Sequence, residues 1–438
     1  MRGAVVVAVL VCACGGAARL PVEAGTGPTP ELPPPRTSLI PVVKVARAVG
    51  WSDGSTPSAA ADLRAQAFAS GLQHPRWLYV LPNGDVLVAE TNAPADREKP
   101  KGIRGWFMQR YFKKAGAAVP SANRITILRD ADGDGVAETR SILLHDLNAP
   151  FGMALIGDQL FVANSDAVLR FPYRTGQLTI TAPATRVVAL PAGPINYHFT
   201  KTLLASADGR RLYVTVGSNS NVGERGLENE QDRAGILELD PASGRYRVYA
   251  SGMRNPVGLA WQDGVLWASV NERDELGSDL VSDYLTSVRD GAFYGWPYSY
   301  FGAHLDPRVK VRNDAAVRSA VVPDYALGPH AGSLGLAAAT GNSLGARFGS
   351  GMFVGQHGSW NRKPFSGYRV IFVPFANGRP TGAQPVTVLD GFLDARGHAR
   401  GRPVGVALDR RGALLVADDV GNTIWRVKSA SSTTAIRN

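Results

Sequence analysis

The sequence has very few of the residues on which several common stabilising and metal-binding devices depend. Its two cysteines, Cys12 and Cys14, both lie at the start of the 438-residue chain. A folded domain downstream of them can contain neither a disulfide nor a thiolate metal site, so packing must stabilise it. The sequence also lacks an apolar run long enough to cross a bilayer as a helix.

Several motifs that mark cofactor binding or hydrolysis are also absent. No GxGxxG motif lies between a strand and a helix, which argues against a nicotinamide-binding fold, and no GxxxxGK[ST] phosphate loop occurs. The lack of CxxCH excludes covalently attached haem, and no nucleophile elbow is predicted. A redox enzyme with this sequence would need a non-covalent cofactor and an external electron acceptor.

The overall charge is positive, with 47 Lys and Arg against 37 Asp and Glu and a formal net charge of +10. The cationic residues do not form an aromatic-interleaved patch or a known nucleic-acid motif, so we interpret them mainly as solvated surface. We therefore expect no nucleic-acid partner. The excess charge is compatible with attraction to anionic lipid or to an acidic electron-transfer protein.

The N-terminal residues 1–20 have the pattern of a secretory signal, with Arg2, an apolar core over residues 4–11 and small residues after it. The order Val-Cys-Ala-Cys that ends at Cys14 resembles a bacterial lipobox, in which the last cysteine is lipidated after cleavage. We expect a signal peptide of the lipoprotein type, with ordinary cleavage as the alternative. The protein would then be periplasmic and attached to a membrane only through lipid at Cys14.

The segment after the signal, residues 21–60, is proline-rich over residues 21–37. This composition predicts an extended tether. At the other end, residues 431–438 are expected to be a short C-terminal tail. The ordered domain is expected to span residues 61–430.

A hairpin unit recurs within this domain, and its clearest copy spans residues 251–275. There, the apolar segments 257–261 and 265–270 flank a Gln-Asp-Gly turn, in which Gly264 supplies the positive φ of a tight hairpin. Five further copies begin at His74, Ala149, Lys201, Leu344 and Arg402.

Six such units, each followed by more strand-like segments, predict an all-β fold, a six-bladed β-propeller. A β-sandwich is the alternative fold. Alternation over residues 62–72 predicts a strand that completes the last blade and closes the ring. Two insertions, 93–122 with a short helix and 297–333, are expected to lie over a face of the propeller.

Polar residues crowd the beginning of the first strand and the end of the second strand in each hairpin. Because these two points lie at the same end of an antiparallel hairpin, the polar residues should converge on one funnel. Arg254, Arg400 and Arg402 would meet there without matching carboxylates, which favours an anionic ligand held by guanidinium groups. His198 precedes a first strand and is the best-placed general base, with a structural histidine as the alternative.

Several segments together resemble the PQQ-dependent sugar dehydrogenases, the family of soluble quinoprotein glucose dehydrogenase and aldose sugar dehydrogenase, with a branch that resembles L-sorbosone dehydrogenase. The resemblance covers roughly residues 65–430. It rests on His198 with KTLLASADGRRLYVTVGS, RNPVGLAW at 254–261, NERDELGSD at 271–279, DGAFYGWP at 290–297, GQHGSWNR at 355–362 and RGRPVGVALD at 400–409.

This resemblance implies oxidation of an aldose-type sugar or a sorbosone-like sugar aldehyde by hydride transfer to pyrroloquinoline quinone (PQQ), with Ca²⁺ beside it. Electrons would pass to an external quinone or cytochrome. The family's catalytic histidine falls on His198, and its arginine at the reacting carbonyl falls on Arg254, where it would stabilise oxyanion charge. Asn255 matches the adjacent cofactor-binding asparagine, and Arg400 and Arg402 match the pair that holds cofactor carboxylates.

The sequence departs from the family pattern at three places. Glu272 and Arg273 occupy the position of a Gly-Pro pair whose backbone carbonyls hold the cofactor calcium, so their backbone oxygens are the candidate ligands. Asn148 lies near the position of a cofactor-binding glutamine. The family's cofactor lysine falls near Arg362 and Lys363, with His357 beside them, and these three residues are candidates for its role.

A separate metal site is predicted in the sequence DADGDGVAE. Four acidic side chains occupy alternate positions of this loop, a spacing that presents oxygens to a hard cation such as Ca²⁺. They are Asp130, Asp132, Asp134 and Glu138. The alternative is an ordinary Asp/Gly-rich turn without a cation.

Two other functions remain open from the sequence. A calcium-dependent, lactonase-like propeller hydrolase should have one glutamate with Asn and Asp ligands at its centre rather than several arginines. A non-catalytic propeller would bind only protein or glycan. The convergence of His198 with the arginines favours the dehydrogenase over both alternatives.

Overall fold

The computed structural model describes residues 16–38, 42–98 and 101–430. The expected signal peptide, apart from its last residues, lies outside the described residues, as do Cys12, Cys14 and the C-terminal tail. The described chain forms six antiparallel sheets, each with four principal strands. No helix within the described ranges is long and apolar enough to cross a membrane.

The first half of the chain forms three blades and contributes one strand to the last. Strands β1 (Thr26–Gly27), β2 (Ser58–Ala59) and β3 (Leu63–Ala69) come first in the chain. Blade 1 contains β4 (Pro75–Val80), β5 (Val86–Glu90), β6 (Arg124–Arg129) and β7 (Thr139–Leu144). Blade 2 contains β8 (Met153–Ile156), β9 (Gln159–Ala163), β10 (Ala167–Pro172) and β11 (Thr185–Ala189). Blade 3 contains β12 (Leu203–Ala205), β13 (Leu212–Val216), β14 (Gly235–Leu239) and β15 (Tyr246–Ser251).

The second half forms the other three blades. Blade 4 contains β16 (Pro256–Gln262), β17 (Val265–Val270) and β18 (Ser282–Ser287), and, after a small hairpin of β19 (Ser299–Tyr300) and β20 (His304–Leu305), β21 (Tyr325–Pro329). Blade 5 contains β22 (Ser333–Ala338), β23 (Gly351–Gln356), β24 (Arg369–Ala376) and β26 (Val386–Asp390), with the short β25 (Arg379–Pro380) paired to β24. Blade 6 contains β27 (Pro403–Leu408), β28 (Leu414–Asp418), β29 (Thr423–Ser429) and β3.

Helices are short and lie between the strands. The α-helices are α1 (Gly102–Lys114) and α2 (Asp314–Ser319), and the 3₁₀ helices are Val22–Gly25, Leu227–Glu230 and Ala346–Phe348. Helix α1 lies in the 93–122 insertion, as the sequence predicted. Residues Asn313 and Ala316 form an N-cap bond at the start of α2.

The first strands of neighbouring blades contact one another around a closed ring, from β4 through β8, β12, β16, β22 and β27 back to β4. The second strands β5, β13, β23 and β28 are buried at every position, because adjacent blades cover both of their faces. Outer strands such as β15 have exposed residues. This arrangement confirms the predicted six-bladed β-propeller.

The hairpin that defined the repeat also has the predicted geometry. Strands β16 and β17 pair from Gln262 opposite Val265, and the two turn residues Asp263 and Gly264 have φ of 50° and 75°. Positive φ at both positions is the signature of a type I′ turn, whose twist matches that of the strands. Strand β3 pairs with β29 and completes blade 6, which confirms the predicted closure by both chain ends.

Two boundaries predicted from the sequence are wrong. The copy expected to begin at Leu344 has its first strand earlier, at Ser333–Ala338, because the loop of this hairpin is unusually long. The 297–333 segment is not wholly an insertion, since it includes Tyr325–Pro329, the fourth strand of blade 4. Apolar residues of that strand are buried between blades and could not be distinguished from an apolar loop by composition.

The prediction of an extended tether over residues 21–60 is also wrong for the residues that the structure describes. Strand β1 adds to the outer edge of blade 4 beside β21, and β2 adds to blade 5 beside β26. The Trp51 indole donates to Asp418 Oδ2 at 2.7 Å, and the Ala48 N–H donates to the Lys114 carbonyl at 2.9 Å. The segment is therefore held to the propeller by backbone and side-chain bonds that its proline content does not reveal.

Candidate active site

The hairpin ends meet on one face of the propeller, as the sequence predicted. The Asn271 N–H, after a second strand, donates to the Asn255 carbonyl, before the first strand of the same blade, at 3.0 Å. The same bond joins Thr91 to His74 in blade 1 at 3.2 Å. These bonds place the polar residues of both loops at the same end of each hairpin.

His198 is held in one orientation by the neighbouring loop of blade 3. Its Nδ1 lies 2.8 Å from the Ser218 carbonyl oxygen, which can only accept, so Nδ1 carries the proton. Its Nε2 has no hydrogen-bond partner within the described ranges and keeps a free lone pair. Burial, followed by the charge of Arg254, lowers the pKa of His198 well below its usual value, although the Ser218 carbonyl opposes this shift. The imidazole is therefore neutral at neutral pH and can accept a proton.

The backbone under His198 is fixed by a buried lysine. Lys201 Nζ donates to the His198 carbonyl at 3.3 Å. The lysine side chain is fully buried, and burial together with the charge of Arg233 lowers its pKa well below the usual value. Lys201 acts on the ring only through the backbone and is a positioning residue.

Arg254 brings a guanidinium next to this histidine. Its Nη1 donates to the Glu272 carbonyl at 2.7 Å and its Nη2 to Asp274 Oδ2 at 3.1 Å, while its buried Nε has no partner in the described chain. Gly217 lies between His198 and Asn255, since a Cβ added there would lie 2.5 Å from the His198 Cβ and 2.3 Å from Asn255 Oδ1. Only glycine fits at this close approach of the two loops.

Asp274 joins the loops of blades 4 and 5 at the same place. Beyond its pair with Arg254, it accepts a hydrogen bond from the Asn361 amide, and its Oδ1 lies 3.7 Å from His330 Nδ1. Burial would raise the pKa of Asp274, but the charge of Arg254, the nearby His330 and the hydrogen bond from Asn361 lower it. Asp274 is therefore a carboxylate at neutral pH. We call His198, Arg254, Asn255, Asp274 and Asn361 the His198 cluster.

A second group of titratable residues lies between blades 5, 6 and 1, and we call it the Asp419 cluster. Asp419 accepts a hydrogen bond from His357 Nε2 at 2.9 Å, and its carboxylate lies 3.6 Å from His74 Nε2 and 3.8 Å from Arg76 Nε. Burial opposes ionisation, but both histidines and Arg76 lower the pKa of Asp419. Burial lowers the pKa of His74 to about 4, so this histidine is neutral. The cluster comprises His74, Arg76, His357, Arg402 and Asp419.

Arg402 is buried at the edge of this cluster. Its guanidinium lies 5.0 Å from the centre of the Tyr368 ring, and its Nη2 makes a long 3.5 Å contact to the Ala46 carbonyl. No hydrogen-bond acceptor reaches its Nε from the described residues, and the same holds for Arg76 Nε. Two guanidiniums thus face one carboxylate, which leaves donors and positive charge for an anionic ligand.

The structure does not bring all the predicted cofactor residues together. Arg362 donates to the Pro364 and Leu20 carbonyls at 3.0 and 3.1 Å, so its guanidinium holds the N-terminal segment instead. Lys363 is exposed, and Arg400 is half-buried with only its backbone N–H bonded, to the Phe392 carbonyl. Asn148 is half-buried, and its carbonyl accepts from the Ser165 N–H. The proposed roles of these four residues are not supported by contacts.

The backbone of Glu272 does not suit the predicted calcium site. Its carbonyl accepts from the Arg254 guanidinium at 2.7 Å, so a calcium ion on this oxygen would face a positive charge. The Arg273 side chain is fully buried among the Glu272 and Asp306 carboxylates and the carbonyls of Pro297 and Ser299. This buried ion pair accounts for the Arg273 side chain, and the assignment of calcium to the Arg273 backbone oxygen stays a prediction.

The predicted acidic loop does gather its carboxylates. One oxygen from each of the four side chains lies within 4.8 Å of the others. These residues are Asp130, Asp132, Asp134 and Glu138. The side chains also accept bonds from loop N–H groups, such as Gly133 to Asp130 Oδ1 at 2.6 Å. The geometry is that of a turn that can present oxygens to a hard cation, and the calcium assignment stays a prediction.

Sequence reasoning did not single out Asp274, Asp419 or Asn361, although it placed their loops on the correct face. All three follow the second strand of a blade, among other Asn and Asp residues, with no distinguishing motif. Their roles arise from contacts between different blades, such as the pair of Asp274 with Asn361. Arg76 lies inside the first strand β4, next to the predicted lead-in residue His74, and that proximity was the available signal.

Comparisons with known proteins bear on both the family and the fold. A profile of the TrAA12-like family matches residues 119–286 and 300–430. The pyrroloquinoline quinone-dependent pyranose dehydrogenase of Coprinopsis cinerea is 24% identical over 363 residues, which cover 68% of this chain and 49% of that protein. The chain spans less than two thirds of the length of each curated relative that it matches.

Solved structures with the same fold include two of particular interest. The holo form of the pyranose dehydrogenase PQQ domain from Coprinopsis cinerea has a TM-score of 0.66 and 21% identity, with 88% of this chain and 100% of that chain covered. The calcium structure of a Trichoderma reesei carbohydrate-active enzyme of family AA12 has a TM-score of 0.67 and 18% identity, with coverages of 89% and 99%. At these identities the likeness establishes the shared propeller fold.

Proposed function

Because the chain belongs to the TrAA12-like family, we propose that it is a quinoprotein oxidoreductase that oxidises a sugar by hydride transfer to PQQ. The observation that carries the proposal is the His198 cluster. There, a neutral imidazole with a free Nε2 lies beside a buried guanidinium whose Nε has no partner among the described residues. A general base next to an anion-binding cation is the pair of groups that such an oxidation requires.

The donors on this face suit a polycarboxylate cofactor. Arg76, Arg254 and Arg402 each have a buried Nε that no described residue satisfies. A buried unpaired donor costs free energy, so an acceptor is expected in the working protein. We assign Arg76 and Arg402 to cofactor carboxylates and Arg254 to a cofactor oxygen near His198. Asn255 Oδ1 is also unsatisfied and, because a carboxamide oxygen can only accept, we assign it to an N–H or hydroxyl donor of the cofactor or the sugar.

When bound, PQQ supplies an ortho-quinone that accepts two electrons. The residues of the chain handle the proton. His198 Nε2 removes the proton from the sugar hydroxyl as the carbon bearing it loses hydride, so the C–O bond becomes a carbonyl. The Nδ1–H bond to the Ser218 carbonyl holds the ring and stabilises the imidazolium that forms. The charge of Arg254 lowers the pKa of His198, and the same charge can offset negative charge that develops at the acceptor.

Calcium is proposed as the accompanying cation, in line with the calcium structure of the AA12 neighbour. The Glu272 carbonyl is not its ligand in the described arrangement, because Arg254 occupies that oxygen. The acidic loop that starts at Asp130 is the described group of carboxylates that could hold a metal, and we assign it a structural calcium. Replacing Asp132 and Asp134 by Asn should lower Tm and abolish its rise on adding Ca²⁺, without affecting PQQ binding.

The substrate that we propose is an aldose in its pyranose form, in line with the name of the curated relative. A sorbosone-like sugar aldehyde is the second candidate, because the same proton and hydride are removed from its hydrate. Electrons would leave to an external quinone or cytochrome. Export to the periplasm with lipid at Cys14 remains part of the proposal, on the strength of the signal pattern alone.

The two alternative functions have less support. Within the described residues, the carboxylates of the funnel do not form a group that could hold a metal, and Asp274 and Asp419 are paired with arginine or histidine instead. This pairing argues against a lactonase-like calcium centre. A propeller that only binds protein or glycan would have no need of a neutral histidine with its Nε2 free.

Dye-linked dehydrogenase activity of the purified, EGTA-treated protein tests the proposal. Aldoses and sorbosone are assayed with PQQ and Ca²⁺ together, with each alone and with neither, and PQQ binding is titrated separately. The expected result is sugar-dependent dye reduction that requires PQQ and is enhanced by Ca²⁺. Absence of both PQQ binding and activity would overturn the proposal and favour a binding propeller.

A further inference from the structure

The 93–122 insertion exposes an unusual number of large apolar side chains. Trp106, Phe107 and Phe112 of helix α1 are 54, 49 and 36% exposed, and Val119 just after the helix is 45% exposed. An apolar patch on the surface of a soluble protein marks a place where something docks. The described residues of the chain do not cover it.

The same helix is strongly and uniformly basic. Residues 101–114 contain five Lys and Arg and no Asp or Glu. Arg110 lies over the ring of Trp106 at 4.9 Å, and Lys113 and Lys114 end the helix. The sequence-based interpretation, which found no aromatic-interleaved basic patch, is therefore wrong at this helix: cationic and aromatic groups are mixed on one short element, and no acidic residue of the helix neutralises them.

The aromatic rings and the cations alternate around α1 and do not form two separate sides. With 3.6 residues per turn, Trp106 shares a side with Arg110 and Lys113, and Phe107 lies next to Lys114. Phe112 lies on the remaining side with Met108, which is half-buried. The exposed surface of the helix therefore mixes aromatic rings with Lys and Arg side chains, a combination that suits the interface of an anionic membrane.

Helix α1 is attached to the face that carries the candidate active site. The Lys114 carbonyl accepts from the Ala48 N–H, and Asn92 Nδ2 holds the Ala117 and Val119 carbonyls at 3.1 and 2.7 Å. Before the helix, Arg97 lies 5.5 Å from the ring of Tyr197, and this ring contacts the His198 imidazole. The helix is thus part of the rim of the funnel and not a separate appendage.

We propose that α1 is a docking helix for an anionic membrane surface. Its exposed rings, Trp106 and Phe107 foremost, enter the headgroup region, and its Lys and Arg side chains contact anionic lipid headgroups. Charge complementarity decides between occupants: an acidic protein could pair with the cations but would leave three exposed rings unused, whereas a lipid interface takes both groups. This contact is separate from lipid at Cys14 and does not depend on the proposed redox activity.

Vesicle binding of the full chain tests the proposal. All proteins compared carry Cys12→Ser/Cys14→Ser, so none of them can be lipidated there. They also share the same N-terminal residues 1–20, so differences in binding come from the helix variants. Sedimentation is measured with vesicles of phosphatidylcholine alone and with 30% phosphatidylglycerol, at low and high salt. Trp106→Ala/Phe107→Ala/Phe112→Ala removes the aromatic groups, and Arg110→Gln/Lys113→Gln/Lys114→Gln removes three charges. The control, Ile142→Ala/Val248→Ala/Val265→Ala, replaces three exposed apolar residues in the outer strands β7 and β15 and beside the β16–β17 turn, at the end of that hairpin opposite to the funnel.

The expected result is salt-sensitive binding to the anionic vesicles that exceeds binding to neutral ones. The affinity of the aromatic variant for anionic vesicles should fall at least about tenfold. The affinity of the charge variant should fall about fivefold for each charge removed. The control should bind as the parent does, and circular dichroism should be unchanged because all replaced side chains are exposed. Quenching of Trp106 by brominated lipid, measured against Trp106→Phe, should report its insertion.

Equal binding of the parent and the aromatic variant to anionic vesicles would overturn the proposal. So would equal binding to neutral and anionic vesicles, or the absence of Trp106 quenching in bound protein. If neither vesicle is bound but an acidic protein is, α1 is a protein-docking helix and the membrane assignment fails.

Discussion

The two titratable clusters of the funnel face use the same residue types in opposite ways. His198 is oriented by a backbone carbonyl and lies beside Arg254, so no carboxylate binds its ring and Nε2 stays free. His357, in contrast, has its Nε2 on the Asp419 carboxylate at 2.9 Å. A histidine is therefore a base in one cluster and a ligand of a carboxylate in the other. The partner atom, and not the residue type, decides the role.

The charges of the two clusters differ in the same way. Arg254 is matched by Asp274 in the His198 cluster. In the Asp419 cluster, Arg76 and Arg402 face the single carboxylate of Asp419, since burial keeps its histidines neutral. The first cluster is suited to proton transfer and the second to holding an anion. The two are connected by one loop of blade 5, which contributes His357 to one and Asn361 to the other.

The largest expected effect comes from removing the base. His198→Ala should lower kcat/KM by about 10²–10⁴-fold, which is the usual contribution of a general base, with PQQ affinity little changed. His357→Ala should act mainly on stability, because it leaves the buried Asp419 with fewer partners. His145→Ala, on the exposed surface, is the control and should have no effect. Steady-state kinetics and PQQ titration measure these effects. Comparable losses of kcat in His198→Ala and His357→Ala would contradict the distinction between the two clusters.

The second prediction concerns stability against pH in the Asp419 cluster. The pKa of His74 falls from 6.5 to about 4 on folding, so the unfolded chain binds its proton first as pH falls. This histidine should therefore cost the fold about 3 kcal/mol between pH 6.5 and pH 4, at about 1.4 kcal/mol per unit. The difference in unfolding free energy between wild type and His74→Gln should shrink by that amount over this range, as measured by denaturant melts. If the unfolding free energies of wild type and His74→Gln changed in parallel with pH, His74 would not be the source of the pH dependence.

The third prediction compares two neighbouring arginines. Arg402→Met should weaken PQQ binding by about 10–100-fold, because it removes a charged hydrogen bond. Arg400→Met should weaken it by less than about threefold, because no described contact directs the Arg400 side chain to the cluster. Titration of PQQ absorbance gives both affinities. Equal losses of PQQ affinity in the two variants would show that Arg400 and Arg402 both hold the cofactor, as the sequence pattern predicted.

The smallest expected effect is a rate that barely changes with pH. Burial and Arg254 keep the pKa of His198 well below 6.5, so the base stays unprotonated as pH falls from 8 to 6. A histidine with an ordinary pKa would lose about fourfold in kcat/KM over that range, whereas this enzyme should lose less than about twofold. A fourfold decline in the kcat/KM profile, at constant PQQ occupancy, would show that His198 is not shifted.

The sequence predicted more of the fold than of the site. Repeated hairpins, turn residues such as Gly264 and the closing strand at 62–72 are local patterns, and each appears in the structure as predicted. The pairing of Asp274 with Asn361 has no such local signal, because the two residues come from different blades. Arg254 and Glu272 flank one hairpin and were expected to lie close together, but the sequence could not show that the Arg254 guanidinium takes the carbonyl expected to bind calcium, because that depends on side-chain geometry.

By itself, the sequence determined the number of blades, the closure of the ring and the face on which the hairpin ends meet, since these follow from periodicity and from the geometry of an antiparallel hairpin. It also placed His198 and Arg254 on that face, and their catalytic roles stay a prediction. Only the tertiary structure decided what each polar group touches: that His198 faces a carbonyl, that Arg362 holds the N-terminal segment and that Asp419 binds two histidines. The physical reason is that a charge or a lone pair acquires its role from burial and from partners that are distant in sequence.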